Sequence, residues 1–587
     1  MRAKPTMNSR RFQNRADLRP RLSSRRQADA RGGTGVNRAI VLALAVGACA
    51  LGISVPLLAL SGGSRNQPLL RVAHSARRLT AGEGAPALAP LRQATGRHLP
   101  VLTATIGADA AGIAVPRSFL GLSTEYWGLP RYERNMRLFE RILAAIHVRG
   151  DGPLILRVGG GSADHSYWEP IERAMPNTAF ELTQSWLERT RSLVRSAGLR
   201  LILDLNLVSN STAMAEQWAA AATAALPRGA IVGFEIGNEP DLYHRFYRLL
   251  AIAQAGVEHV FELPPFSART YIRGFSAYAR ALARVAPGVP ILGPAVANPS
   301  LDLSWVSSLL ATEHRTLGMV TAHTYPLSQC ASPISPRFPT IPRVLSERAS
   351  AGMARTVSGA VRLAHAAGLK FRLTEMNSVT CGGTPGVSGT FATALWAPDA
   401  LFELLRARVD GVNIHVRPDA FNAPFPLVGS GVQVRPLFYG MILFARTLGP
   451  RARLLPADVI GRRDAHVKVW AVRVAGRTLR VLVINKGAGA ANVVLRLRGG
   501  GTATVERLLA PSVSASTGVT LAGQTLNGNA EWRNPRAVET LSRSARGYRV
   551  TMPGASAALV SVPLTGRGSA VTDGRARTVD RSTLGSA

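Results

Sequence analysis

The stretch GFEIGNEPDLY, residues 233–243, begins as an apolar run and ends in polar residues. Together with the apolar residues that precede it from Ile231, it is typical of a β-strand buried in a protein core. The strand is followed directly by Asn238 and Glu239, and Pro240 then interrupts further strand pairing. The chain has only 35 acidic residues, so a carboxylate placed where a strand leaves the core indicates a functional site.

Seven more runs share this apolar, strand-like character, and amphipathic segments of helical period lie between them. They cover residues 119–126, 154–160, 200–207, 290–296, 319–325, 371–377 and 411–416, which with residues 231–239 makes eight. Near-continuous apolar strands are typical of a parallel sheet that is buried on both faces. Eight such strands alternating with helices predict an α/β protein with a (β/α)8 TIM barrel.

The hydrophobic period changes near residue 445. From there, apolar and polar residues alternate in runs such as HVKVWAVRV (466–474) and RTLRVLVIN (477–485), with glycine-rich turns between them. Alternation of period two predicts a C-terminal antiparallel β-sandwich. The strand-like run VLTATIGA (101–108) could join that sandwich and clamp the two ends of the folded chain together.

These patterns predict seven segments along the chain. They are a basic disordered cytoplasmic tail (1–38), a signal peptide or membrane anchor (39–60), a linker (61–100), strands joining the sandwich (101–114), the catalytic barrel (115–445), the β-sandwich (446–565) and a disordered tail (566–587). The basic flank before Ala39 predicts export of everything after Leu60 to the cell surface or the exterior. Cleavage of the apolar segment, lipidation at Cys49 and retention as an anchor stay open.

The formal net charge of +35 would suit a polyanionic partner, but its distribution argues against nucleic acid. Arginine supplies nearly all of the positive charge, and the arginines are scattered along the chain. The sequence has no zinc-finger spacing, RNA-binding signature or basic-aromatic stripe. It also has no HExxH-type metal spacing and no G-x-S-x-G elbow after a strand, so we expect no nucleic acid, no metal, no other cofactor and no serine-hydrolase triad.

In such a barrel, reactive side chains stand at the C-terminal ends of the strands. These ends carry Glu125, Gly161, Ser162, Asn206, Asn238, Glu239, His323, Tyr325, Glu375 and His415. A lone glutamate there would more often be a solvated or salt-bridged residue, but a facing pair suits glycoside hydrolysis. One carboxyl group protonates the leaving oxygen while the other attacks the anomeric carbon. In a retaining enzyme the two groups should lie about 5–5.5 Å apart.

Asn238-Glu239-Pro240 after the fourth strand, with Glu375 after the seventh, resembles clan A of the glycoside hydrolases. More narrowly, the chain is similar to glycoside hydrolase family 79, which includes β-glucuronidases and heparanase. The blocks that carry the resemblance occur in the family's order over roughly residues 115–450, and they are FLGLSTEYW, ILRVGGGSADHSYW, FEIGNEPDLY, VTAHTYP, LTEMNSVTCGG and VRPLFYGMILFA. Each block alone is weakly specific, whereas the ordered set is specific.

The resemblance implies a role for individual residues. Glu239 would be the general acid/base and Glu375 the nucleophile. The substrate-binding residues that it implies are Glu125, Asn238, Tyr325, Gly382 and Gly383. Among these, Asn238 would bond the sugar 2-hydroxyl and Tyr325 would hold the nucleophile ionised. Plainer roles stay open for each: barrel packing for the tyrosine, a turn cap for the asparagine and tight turns for the glycines.

Two departures from the family concern specificity. The loop after the eighth strand lacks the tyrosine that helps to grip a uronate carboxylate in the family. Arg417 lies in that loop and could bind a carboxylate, although in so arginine-rich a chain we expect it on the surface. In the second-strand loop, Gly161 and Ser162 stand where heparanase has threonine and lysine, which argues against heparanase-like binding of sulfated polymers.

Cys330 and Cys381 follow the sixth and seventh strands, which are neighbours in the barrel. Because the exported compartment is oxidising, we expect a disulfide between them, with two unpaired thiols as the alternative. Such a bond requires a Cα separation below about 7 Å.

The leading hypothesis is an exported retaining exo-β-glycosidase that acts on β-D-glucuronides. One alternative keeps the mechanism but changes the sugar to a neutral one, as in a β-glucosidase or β-xylosidase of clan A. Another is a non-catalytic carbohydrate-binding surface protein on the same scaffold. The predicted partner is a carbohydrate in every case, with membrane contact through residues 39–60 as an option.

Overall fold

The computed structural model describes residues 99–148, 150–168, 180–243, 266–461, 466–475, 478–497 and 500–564. The predictions for the basic tail, the apolar segment at 39–60, nearly all of the linker and the C-terminal tail lie outside these residues. Within the described ranges, no helix is long and apolar enough to cross a membrane.

Eight parallel strands close into a barrel. In chain order they are Leu120–Glu125, Ile155–Gly159, Arg200–Leu205, Ile231–Ile236, Ile291–Val296, Leu317–Thr324, Lys370–Met376 and Gly411–His415. Each strand pairs with the next along the chain, and the eighth closes the barrel against the first, with Val412 opposite Leu120. The predicted (β/α)8 barrel is confirmed, and all eight strand-like runs of the sequence form its wall.

Helices surround the barrel. Those described are Leu129–Glu133, Met136–Ile146, Gln184–Ala197, Thr212–Ala225, Ala268–Val285, Leu303–Glu313, Ile341–Leu345, Met353–Ala366, Phe391–Arg406 and Pro436–Thr447. Local sequence sets their ends. The Thr183 side chain accepts a hydrogen bond from the Trp186 N–H to begin one helix, and Gly198, at φ 62°, ends it in the left-handed conformation.

A buried arginine fills the N-terminal end of the barrel, opposite the strand ends that carry the candidate site. Arg372 donates from Nε to Oδ1 of Asn413 over 2.6 Å and from Nη1 to the carbonyl of Ser118 over 3.1 Å. Gly411 on the eighth strand makes room for this side chain, because a Cβ there would lie 1.9 Å from Nη1 of Arg372 and displace the guanidinium. Polar residues therefore close this end of the barrel with their hydrogen bonds satisfied.

The C-terminal domain is a sandwich of two sheets. The larger sheet contains Ile113–Ala114, Arg453–Leu455, Val467–Val474, Thr478–Asn485, Ser556–Pro563, Ala503–Leu509, Thr520–Leu521 and Glu539–Leu541. The smaller sheet contains Ala457–Ile460, Val101–Ile106, Ala491–Arg496 and Tyr548–Met552. One pairing departs from the antiparallel expectation: Val101–Ile106 runs parallel to Ala491–Arg496, because it enters the sandwich from outside the C-terminal meander.

Short strand pairs complete the architecture. They are Ser166–Trp168 with Phe180–Leu182, Leu327–Ser328 with Val379–Thr380, Leu427–Val428 with Gly431–Val432, and Thr525–Leu526 with Trp532–Arg533. The second of these pairs joins the loops after the sixth and seventh barrel strands. It therefore lies at the end of the barrel where the strand-end carboxylates are.

Barrel and sandwich share a continuous hydrophobic core. Trp470 of the sandwich stacks on Phe402 of the helix Phe391–Arg406 with ring centroids 5.4 Å apart, and its indole N–H donates to Oδ1 of Asp399 over 3.0 Å. Lys486 reaches Oδ2 of the same aspartate at 2.6 Å, and all four side chains are buried. Because a buried charge is tolerated only with a partner, this ion pair fixes how the two domains pack.

Candidate active site

Glu239 lies just beyond the C-terminal end of the fourth barrel strand, and its backbone is unusual. Its φ of 50° lies in the left-handed region that non-glycine residues rarely adopt. The Glu239 N–H donates to the carbonyl of Ala295 on the fifth strand over 3.1 Å, and Pro240 follows, so the surroundings hold this conformation. Such strain concentrates at functional sites, and here it accompanies a carboxylate that lines a pocket.

Glu375 lies at the end of the seventh strand and lines the same pocket. One carboxylate oxygen of Glu375 lies within 4.8 Å of one carboxylate oxygen of Glu239. Inverting glycosidases need about 6.5–9.5 Å between their carboxyl groups to admit a water molecule, whereas retaining enzymes need about 5–5.5 Å. The two carboxyl groups therefore face each other across one pocket, close enough for both to reach the same sugar carbon.

Three side chains contact the Glu375 carboxylate. The Tyr325 hydroxyl donates to Oε1 over 2.7 Å, Arg157 donates from Nη1 to Oε2 over 2.9 Å, and Nδ1 of His415 lies 3.3 Å from Oε2. Burial by itself would raise the pKa of Glu375, but His415 and His323 lower it. Arg157 and the Tyr325 hydroxyl lower the pKa further, to about 2. The group is therefore a carboxylate at any ordinary working pH, as a nucleophile must be.

Arg157 connects the Glu375 carboxylate to the barrel interior. The arginine is fully buried and donates to Oε2 of Glu235 over 2.8 Å and to Oδ2 of Asp204 over 2.7 Å. It also donates to Oδ1 of Asn238 over 3.0 Å. One guanidinium thus orients Glu375 and Asn238 together, since its planar group of N–H donors fixes directions as well as distances.

His323 holds Glu239 from the sixth strand. Its Nδ1 lies 3.0 Å from Oε1 of Glu239, and the imidazole is completely buried. Among the described residues, Glu239, His323 and Glu375 each offer an atom within 4.8 Å of the other two, a spacing at which a cation could be held. Both Glu375 oxygens already accept hydrogen bonds, so a metal would have to compete with Tyr325 and Arg157. The expectation of a metal-free site stays a prediction.

A pocket that opens to solvent surrounds the two carboxylates. It is lined by Glu125, Gly161, Asn238, Glu239, Tyr325, Glu375, Thr380, Cys381, Gly382, His415, Arg417 and Asn422. Polar groups thus cover its wall, as recognition of a sugar's hydroxyl groups requires. Six of the residues to which the resemblance gives a role lie in this lining, whereas Gly383 and the strand-end residues Ser162, Asn206 and His323 do not.

Glu125 is held in the pocket wall by its neighbours. The backbone N–H of Ser162 donates to its Oε2 over 2.8 Å, and Nε2 of His415 lies 3.6 Å from Oε1. Burial would raise the pKa of Glu125, but His415, Arg417 and Ser162 lower it on balance, so it too is ionised. Gly160 must be glycine here, because a Cβ would approach the carboxylate to 2.8 Å in a backbone with φ of 70°.

The two glycines after the seventh strand differ in position. Gly382 lines the pocket, and its carbonyl accepts hydrogen bonds from the N–H groups of Phe421 and Asn422. Gly383 is not among the lining residues. It has a φ of 84°, and a Cβ there would meet the backbone nitrogen of Asn422 at 2.6 Å. The missing side chain of Gly383 therefore lets two loops pack closely, and its part in substrate binding stays a prediction.

Cys330 and Cys381 form a disulfide with their Cα atoms 6.1 Å apart. The bond joins the loops after the sixth and seventh strands, beside the short pairing of Leu327–Ser328 with Val379–Thr380. Because Cys381 lines the pocket, this cross-link holds part of the pocket wall in place.

Residues 469–559 match the model of the glycosyl hydrolase family 79 C-terminal beta domain. The predicted resemblance to glycoside hydrolase family 79 is confirmed. A curated β-glucuronidase of Aspergillus niger is 23% identical over 482 residues, which cover 71% of this chain and 84% of that protein. This relative extends the family resemblance from the sandwich across the barrel.

Solved structures agree on the fold. A 4-O-α-L-rhamnosyl-β-D-glucuronidase from Fusarium oxysporum 12S superposes with a TM-score of 0.63 at 16% identity, covering 78% of this chain and 99% of that one. A GH51 arabinofuranosidase from Xanthomonas axonopodis pv. citri gives a TM-score of 0.58 at 15% identity, with coverage of 79% and 100%. At these identities the likeness concerns the barrel and sandwich alone.

The structure corrects the expected position of Arg417 and adds Arg157 and Trp127 to the residues around the site. Arg417 is not a surface arginine: it is 8% exposed and lines the pocket. Arg157 went unnoticed, although a charged residue inside the otherwise apolar run LILRVGG was a visible signal. Trp127, whose ring lies 5.6 Å from the guanidinium carbon of Arg417, carried no signal in the sequence, since the contact forms only on folding.

Proposed function

We propose that this family 79 glycoside hydrolase is an exported retaining exo-β-glycosidase that removes β-D-glucuronosyl groups from its carbohydrate substrate. The observation that carries the mechanism is the carboxylate pair, with oxygens of Glu239 and Glu375 within 4.8 Å of each other in one pocket. The sugar is inferred from the relatives, since both the Aspergillus niger protein and the Fusarium oxysporum structure are named as glucuronidases.

In the first step, Glu375 attacks the anomeric carbon and forms a covalent glycosyl-enzyme ester, while Glu239 gives its proton to the oxygen of the leaving group. The Tyr325 hydroxyl and Arg157 keep the nucleophile ionised and oriented before attack. Asn238 is oriented by the same arginine and lines the pocket, where it can donate to the sugar's 2-hydroxyl.

In the second step, Glu239 takes a proton from a water molecule that attacks the anomeric carbon from the side the leaving group vacated. The ester to Glu375 breaks, and the sugar leaves with its original β configuration. His323 supports both steps because it holds the Glu239 carboxylate in one orientation.

The test compares hydrolysis of 4-nitrophenyl β-D-glucuronide with that of the glucoside, xyloside and galactoside by the described catalytic and sandwich domains. The Glu375→Gln variant should lose activity by at least about a thousandfold. Glu133→Gln is a matched control, because Glu133 is also a buried glutamate but lies outside the pocket lining. Proton NMR of the first-formed sugar should show the β anomer.

Each other outcome has a definite meaning. Turnover of a neutral glycoside instead of the glucuronide would keep the mechanism and reject the uronate. The α anomer as first product would reject retention. No turnover of any glycoside, by a folded protein that still binds sugars, would favour the non-catalytic carbohydrate-binding alternative.

Export is part of the proposal and is supported by the uncharged run at residues 39–60 and by the disulfide between Cys330 and Cys381. Disulfides persist mainly in oxidising compartments. Protease added to intact cells should digest the full-length protein if it stays attached to the cell surface. If the protein is released, it should be found in the medium. Protection of the whole chain until the cells are lysed would contradict export.

A further inference from the structure

Arg417 stands out in the electrostatics of the pocket. The wall carries three acidic side chains, those of Glu125, Glu239 and Glu375. Among the described lining residues, Arg417 is the one with a permanent positive charge. Arg157 lies beneath the wall, and its N–H groups are already directed to buried carboxylates and to an asparagine side chain. The position of this cation in the wall of an otherwise acidic pocket indicates that it has a function there.

The guanidinium of Arg417 is held by a built support. Its carbon lies 5.6 Å from the centroid of the Trp127 ring, and the guanidinium carbon of Arg131 lies 5.7 Å from the same ring. Nη2 of Arg417 lies 3.5 Å from Oδ1 of Asp419. The Arg417 side chain is only 10% exposed, and contact with an indole face favours a defined position for a guanidinium.

We propose that Arg417 binds the carboxylate of the uronic acid and thereby sets the preference for a glucuronide over the corresponding neutral sugar. This inference rests on the proposed function. A guanidinium offers two parallel N–H donors that match the two oxygens of a carboxylate, whereas the hydroxymethyl group of a glucoside offers neither the charge nor the second acceptor. Without such a cation, a substrate carboxylate would enter a wall that already holds three acidic groups.

This assignment also accounts for the departure in the loop after the eighth strand, which contains no tyrosine before Tyr439. The Tyr439 hydroxyl accepts a hydrogen bond from the backbone N–H of Leu526 in the sandwich, so it is not placed to bind a substrate in the pocket. Arg417 instead comes two residues after His415, the last residue of the eighth strand, and reaches the pocket from the rigid barrel wall.

A second role for Arg417 competes with this one. The guanidinium helps to lower the pKa of Glu125, so the arginine could act only by holding Glu125 ionised. In that case its removal would affect every sugar alike, because Glu125 faces the pocket whether or not the substrate carries a carboxylate. The substrate series separates the two roles.

The experiment measures kcat and KM of wild type, Arg417→Gln and Arg417→Lys on three substrates. They are 4-nitrophenyl β-D-glucuronide, its methyl ester and 4-nitrophenyl β-D-glucoside. For Arg417→Gln we expect kcat/KM on the glucuronide to fall about 10- to 150-fold, mainly through KM, because a hydrogen-bonded charge pair is lost. On the ester and the glucoside the change should stay within about threefold, and lysine should restore part of the loss.

Arg131→Gln is the matched control, since it removes the other guanidinium from the same indole without changing a lining residue. It should leave all three substrates within about threefold of wild type. Turnover of the neutral ester reports a folded site in every variant. Equal losses on all three substrates would overturn the proposal and assign Arg417 to Glu125. A wild type that hydrolyses the glucoside but not the glucuronide would instead reject the proposed function, and this inference with it.

Discussion

Replacing both Cys330 and Cys381 by serine should lower the free energy of unfolding by about 2–4 kcal/mol. The two residues are 51 positions apart in the chain, so the bond closes a long loop. For a loop of that length, the lost entropy of the unfolded chain is worth about 4 kcal/mol. We expect the measured value at or below this limit, because unfolded chains retain some structure that already restricts the loop.

The same change should also alter the pocket. Cys381 lines it next to Gly382, whose carbonyl anchors the Phe421 and Asn422 N–H groups. Without the cross-link, this part of the wall depends on a two-residue strand pair, so we expect KM to rise about three- to tenfold. The value of kcat should change less, because Glu375 stands on a barrel strand.

The assay is urea unfolding of the described domains, followed by circular dichroism, with KM measured on the preferred 4-nitrophenyl glycoside. Wild type treated with a reducing agent should match the double variant. Ser328→Ala is the control, since its hydroxyl lies 3.8 Å from the Cys381 sulfur but takes no part in the bond. Mass spectrometry first confirms that wild type contains the disulfide. If the unfolding free energies of wild type and the double variant then differ by less than about 0.5 kcal/mol, the loop-entropy reasoning is refuted.

Two further predictions follow from the pKa shifts. Tyr325→Phe removes a hydrogen bond that lowers the pKa of Glu375. The acid limb of the pH profile of kcat/KM should therefore move to higher pH, and the plateau value of kcat/KM should fall about tenfold or more. An unchanged acid limb would contradict this role of Tyr325. Burial raises the pKa of Glu133 to about 7 although Arg189 opposes the shift, so the folded chain keeps a proton that the unfolded chain loses above about pH 4.5. The stability that Glu133 contributes is therefore present below about pH 4.5 and is lost as pH rises to about 7. Glu133→Gln should be more stable than wild type at pH 8 by up to about 3 kcal/mol, and the two proteins should differ little at pH 4. Urea unfolding of both proteins at pH 4 and pH 8 checks this prediction. An equal difference in unfolding free energy at the two pH values would show that burial does not raise the pKa of Glu133.

The barrel could be predicted because each of its strands is recognisable from its own short stretch of sequence. A strand buried on both faces needs an unbroken apolar run, and eight such runs with helices between them leave few other folds. The same rule located Glu239 and Glu375, since a carboxylate directly after an apolar strand must lie at the barrel mouth. The residue-specific roles came from the family resemblance and remain predictions for activity measurements.

One error arose where a position depends on distant parts of the chain. Arg417 was expected on the surface because the chain has many arginines, yet the Trp127 ring and the pocket wall enclose it. Composition describes the average arginine and carries no information about the one that the barrel encloses.

The sequence by itself determined the strand order, the domain types and the two carboxylates at the barrel mouth, because these depend on local hydrophobic period and on residues next to strand ends. The tertiary structure alone decided which charges meet. Arg157 reaches Glu375 across 218 positions of chain, a contact that exists only because the barrel closes. Hydrophobic pattern encodes which face of an element is buried, whereas the partner of a buried charge is set by the distances between elements after they pack.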